Sequence, residues 1–205
     1  AARSIEDLGF PIDAIDALFV THFHSDHIAD VGEVVSRSWI AGRTAPLPVY
    51  GGPGVERLVD GFNTIYTLDD AYRHAHHGDT VFPVRSSAAT AERIDAPGAD
   101  GVVVYDEGGV RVEAFSVDHS PITPSYGYRV SYEGRSVGIS GDTIDTPGLR
   151  ALSRDVDVLV AEVLQRDLTV ATECALRRQG DERNANIFAD VQTYYIGPGE
   201  LGHVA

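Results

Sequence analysis

The chain has 205 residues, with Lys plus Arg at 16 against Asp plus Glu at 31, a formal net charge of −15. That balance argues against a protein that holds nucleic acid by a broad basic surface, although bound metal ions would add positive charge locally. A hydrophobic fraction of 43% suits one globular domain with a substantial core. No apolar run is long enough to span a membrane, and no signal-peptide pattern opens the chain. The single cysteine, Cys174, excludes an internal disulfide, reads as core or helix filler, and leaves the compartment open.

Residues 1–8 read as the end of a helix. The apolar run Ala17-Leu18-Phe19-Val20 then predicts a buried strand. It leads directly into Thr21-His22-Phe23-His24-Ser25-Asp26-His27, three histidines and an aspartate in six positions. Neutral imidazoles and a carboxylate are the ligand set of zinc, manganese or iron. In extended chain, His22 and His24 point to the same side and can grip one metal. Asp26 and His27 follow after the chain turns, so four ligands this close suggest two adjacent metals. The stripe Ile28, Val31, Val35 and Trp39 predicts a helix near 28–40.

A short strand at Pro48-Val49-Tyr50 is followed by a turn, Gly51-Gly52-Pro53-Gly54, which lacks the Lys-Ser/Thr tail of a phosphate-binding loop. Val55, Leu58, Val59, Phe62 and Tyr66 mark an amphipathic helix, with a second through His77. His74, His76 and His77 fan out around that second helix, which reads as a polar helix end rather than a ligand set. Residues 84–100 read as a surface connection. Gly101–Tyr105 and Val110–Val117 predict a hairpin, and His119 sits at its end. Tyr126, Tyr128, Val130 and Tyr132 alternate as in a strand, Glu133-Gly134 reads as a turn, and Val137 and Ile139 lead to Gly141-Asp142. Residues 157–163 predict a buried strand, and helices occupy much of 167–179 and 182–193. Arg177-Arg178 reads as a solvated helix face. Strands separated by helices give an α/β chain, and the hairpins make its sheets mixed.

The pattern His-x-His-x-Asp-His, the segment Val117-Asp118-His119-Ser120-Pro121 and the segment Ser140-Gly141-Asp142-Thr143 together resemble the metallo-β-lactamase superfamily, nearest its ribonuclease Z and arylsulfatase-like branch. The resemblance implies an αββα sandwich with mixed sheets. It implies a single metallo-hydrolase domain over 1–205, truncated at both ends and lacking the last metal histidine. By resemblance, His22, His24 and His119 bind the first of two divalent metals, and Asp26 and His27 the second. Asp142 bridges them. Zinc suits these ligands best, with manganese or iron as alternatives.

The chemistry so implied is a metal-dependent hydrolase that uses a two-metal-bound hydroxide to cleave a phosphodiester, sulfate or related ester. Asp26 also orients the hydroxide, and Asp118, Ser25 and Thr143 are candidates for hydrogen bonds that aim the ligands. Glu162 matches a family glutamate that supports a catalytic histidine in ribonuclease Z. Tyr195 stands where that histidine would fall. With the acidic composition, this departure ranks a small-molecule ester above RNA. A ribonuclease Z-type tRNA 3′ endonuclease and a non-catalytic metal-binding module are the alternatives. A homodimer is the default assembly, with no residue specifying it. His203 is expected to be exposed or capping.

Overall fold

The computed structural model describes residues 2–202 and 204. His203 lies outside them. The chain forms two compact units, residues 1–95 and 96–205.

In the first unit, α1 (Ala2–Asp7) precedes a three-stranded parallel sheet of β1 (Leu18–Phe19), β2 (Leu47–Gly51) and β3 (Ala89–Arg93), in that order. Between β1 and β2 lie α2 (Ser25–Ile28) and α3 (Val31–Ala41); α4 (Val55–His77) links β2 to β3. Parallel strands need such crossovers. Val20, Val34, Val35, Leu47, Val49, Val55 and Val59 form the buried core. Trp39 closes one end, its indole N–H donating to the Pro83 carbonyl at 3.1 Å. Arg43 is buried and binds the carbonyls of Val35, Ala45 and Ser87. Burial pulls its pKa down to about 10.

Two readings change here. The helical stretch 55–77 is one helix, because no proline interrupts it and Gly78, at φ 76°, ends it. Residues 84–100, read as a surface connection, contain strand β3. Its Ala-Thr-Ala-Glu-Arg sequence has no large apolar side chain, and only Ala89 is buried, as suffices at the margin of a sheet.

The second unit is built on a five-stranded sheet in sequence order: β4 (Val102–Glu107), β5 (Val110–His119), β6 (Ile122–Tyr132), β7 (Arg135–Ile139) and β8 (Val158–Val160). The first four pair antiparallel and β8 joins parallel to β7, so the sheet is mixed as expected. Between β7 and β8, α5 (Pro147–Ser153) was not foreseen, though Thr146-Pro147 is a start signal: the Thr146 hydroxyl accepts from the Leu149 N–H at 3.1 Å. Leu149 and Leu152 of α5 pack with Phe115 and Ile196 in the core of this unit. The approach is close enough that a Cβ at Gly148 would lie 1.9 Å from the Ser116 carbonyl oxygen.

Residues 157–163, read as a buried strand, supply only the short outermost strand β8. Val158 and Val160 are 52% and 55% exposed, because nothing among the described residues pairs with the strand's far side. Helices α6 (Arg166–Arg178), α7 (Glu182–Asp190) and α8 (Pro198–Leu201) complete the unit. Cys174 is exposed on α6, so the core-filler reading does not hold. Arg177 there pairs with Glu173 and Glu182, a solvated helix face as read.

Candidate metal centre

Strand β1 stops at Phe19, the chain bends at Thr21, and His24, the residue before α2, is extended (φ −61°, ψ 146°). This places His22 Nε2 2.9 Å from His24 Nδ1. The Thr21 hydroxyl lies 3.1 Å from His22 Nδ1. A proton held there leaves Nε2 as a lone pair facing His24. Asp26 and His27 fall inside α2. His27 Nε2 lies 3.6 Å from Asp26 Oδ2, and its ring packs 4.0 Å from that of His22. Asp26 is largely exposed while His22 is buried.

In the second unit, His119 ends β5 and Asp142 follows β7 through Gly141, whose φ of 61° lets the chain turn. His119 Nε2 lies 3.7 Å from Asp142 Oδ2, and both side chains are buried. Thr143, fully buried, joins the two loops. Its Oγ1 accepts from the Asp118 N–H at 3.2 Å and donates to the Ile144 carbonyl at 2.8 Å, while the Ile144 N–H donates to the Asp118 carbonyl. Asp118 itself accepts from the Ser120 N–H and hydroxyl, which hold its carboxyl below the usual range. It thus shapes the turn after His119.

The segment 194–196 meets the same pair. Tyr195 donates its phenol proton to Asp142 Oδ2 at 3.0 Å, and the Tyr194 carbonyl lies 3.4 Å from His119 Nδ1. Both tyrosine rings lie against that of His119, with centroids 5.3 and 5.6 Å away. Burial, then the Asp142 charge, pushes the Tyr195 phenol well above its ordinary value. Sequence reading missed Thr21 and Tyr194 in these supporting roles. Tyr194 acts through its backbone, which leaves no signature in residue type.

Glu162 lies in the coil after β8 and is exposed. Its N–H donates to Ser140 Oγ at 3.1 Å, and its negative charge adds a small part to the rise of the Tyr195 phenol. Ser25 is exposed at the start of α2. His74 at the end of α4 faces the Phe82 carbonyl at 2.9 Å and His77 packs on the Phe82 ring, a helix-end role.

The donors suit a divalent cation. In the first unit His22 and His24 offer two imidazole nitrogens, and in the second His119 and Asp142 offer an imidazole nitrogen and a carboxylate oxygen. Two ligands at bond lengths of about 2.0–2.2 Å from one ion sit roughly 3–3.5 Å apart. The separations within each pair, 2.9 and 3.7 Å, bracket that range.

Residues 6–178 match the beta-lactamase superfamily domain. A ribonuclease Z of Mycolicibacterium paratuberculosis is 38% identical over 161 residues, covering 77% of this chain and 54% of that protein. A ribonuclease Z of Mycobacterium bovis is 32% identical over 213 residues, covering 94% and 72%. Against the first of these, the chain spans little more than half the relative's length. The crystal structure of the short form of human tRNase Z shares the fold, with a TM-score of 0.63 at 18% identity over all of this chain and 72% of that one.

The ranking of a small-molecule ester above RNA is overturned by these relatives, which are named as ribonucleases. Net charge sums over a whole surface, whereas recognition depends on the field where cations sit. No helix among the described residues is long and apolar enough to cross a membrane. The chain belongs to the metallo-β-lactamase superfamily.

Proposed function

We propose that this superfamily member is a metal-dependent endonuclease of the ribonuclease Z type, hydrolysing a phosphodiester bond in a precursor tRNA. The observation that carries the reading is the pairing of ligand atoms, His22 with His24 ahead of α2 and buried His119 with buried Asp142 beyond β5 and β7, in a chain whose relatives are ribonucleases Z. By the resemblance, His22, His24, Asp26, His27, His119 and Asp142 would hold the two divalent ions. Zinc suits this donor set best.

Two such ions, when bound, acidify a water and neutralise charge on the phosphoryl oxygens. The protein's part is orientation. Thr21 holds the proton of His22 on Nδ1, and the Tyr194 carbonyl does the same for His119, so that both rings present Nε2. Asp26, exposed beside His27, would also orient the attacking hydroxide. Glu162, exposed beyond β8, is the carboxylate that by resemblance would support a catalytic histidine, whose position Tyr195 takes here.

The chain loaded with Zn²⁺ or Mn²⁺ should cleave a precursor tRNA carrying a 3′ extension. Chelator and His22→Ala should both abolish that cleavage. A metal-loaded chain that hydrolyses bis(p-nitrophenyl) phosphate but leaves the precursor intact would point to another phosphodiester. Inactivity on both substrates with metal bound would remove the enzyme reading.

A further inference from the structure

We propose that Tyr195 is a positioning residue for the metal centre, acting through Asp142; the inference rests on the metal-hydrolase reading above. The resemblance places a histidine at this position, where a ring nitrogen would serve proton transfer. Here the side chain is a phenol, and its proton is already committed to Asp142 Oδ2 at 3.0 Å. That is the same oxygen that faces His119 Nε2 at 3.7 Å. One donated hydrogen bond uses one lone pair of the carboxylate and fixes the direction of the others.

The tyrosine is itself held on both sides. The Ile196 N–H donates to the Thr143 carbonyl at 2.9 Å, and the Ile196 carbonyl accepts from the Leu164 N–H at 2.9 Å. Ile196 is fully buried. The Arg166 guanidinium donates to the Gln192 carbonyl at 2.6 Å and to the Tyr195 carbonyl at 3.2 Å, and pairs with Glu200 at 2.8 Å. The backbone of 192–196 is thus tied to the loop that carries Asp142, through Thr143, and to the start of α6. A phenol on so constrained a segment has little freedom to leave its acceptor. Because the Tyr194 carbonyl faces His119 Nδ1 from the same segment, two consecutive residues address both ligands of this unit.

The test uses the full chain, with Zn²⁺ and Co²⁺ as probes. Tyr195→Phe removes only the hydroxyl. It should weaken Zn²⁺ binding about tenfold, the scale of losing a partner of a metal ligand. It should also shift the visible ligand-field bands of bound Co²⁺ and leave the unfolding midpoint of the metal-free protein nearly unchanged. Genetic incorporation of 3-fluorotyrosine at 195 keeps the shape, strengthens the donor and should tighten binding, which guards against a Tyr195→Phe chain that fails to fold. Wild-type affinity and an unchanged Co²⁺ spectrum in both variants would overturn the tyrosine's role while leaving the metal reading intact. A wild-type chain that takes up neither ion would overturn both.

Discussion

The histidine loop of the first unit gathers its ligand-type residues within positions 22–27, whereas the second unit draws His119 and Asp142 from the ends of two strands. In the loop, a step of two residues from His22 to His24 is enough to bring their ring nitrogens to 2.9 Å. The second pair depends on much more. β6 lies between β5 and β7, so the strands that lead to His119 and Asp142 are set relative to each other through two ladders of strand pairing. Thr143 then ties the loops together, and α5 packs behind them. A ligand pair set by local chain should tolerate distant changes. A pair set by register and packing should not.

The largest effect should come from removing ligands directly. His22→Ala and His119→Ala should each lower the metal content of the dialysed protein by about one equivalent, read by elemental analysis; full metal content in either would remove that residue from the centre. Next, Gly148→Ala places a methyl against the Ser116 carbonyl and should destabilise the protein by about 1–3 kcal/mol, the cost of overpacking. Nuclear magnetic resonance should show the His119 ring perturbed and the His22 and His24 rings little changed. Equal perturbation of all three would erase the contrast between the two pairs.

Thr143→Val removes the one side-chain bond that joins the Asp118 and Asp142 loops, leaving the half-buried Asp118 N–H without its acceptor, and with it the local bond to the Ile144 carbonyl. A loss of about 1–3 kcal/mol in urea unfolding is expected. The smallest effect concerns pH. The folded-state pKa of Asp118 lies below its unfolded value, so the unfolded chain binds the proton more readily. Its stabilising contribution is therefore complete above the ordinary carboxylate range and fades as pH falls through the lowered value. Asp118→Asn should flatten the loss of stability between neutral and strongly acidic pH, and an unchanged acid profile would count against this role.

The same contrast explains what the sequence revealed. The loop at 22–27 was readable because its chemistry and its geometry lie in one short stretch. His119 and Asp142 were identifiable by resemblance, but their shared environment was not, since it depends on Thr143 and on a backbone carbonyl at Tyr194 far along the chain. β3 escaped notice because Ala-Thr-Ala-Glu-Arg carries no strand periodicity, its place being set by pairing with β2. Composition misled on partners, because −15 describes the average surface and not the few positions where cations gather. Tyr195 was noticed only as a departure; its bond to Asp142 required coordinates.

Strand β8 has a practical consequence. Its three residues present Val158 and Val160 to solvent beside Ile139 of β7, and its outer backbone row has no strand partner among the described residues. An uncharged apolar margin of this kind is a template for aggregation. At high concentration the chain should scatter light as it self-associates through β8. Val160→Lys should raise the concentration at which scattering begins, and an onset unmoved by that charge would locate the sticky surface elsewhere.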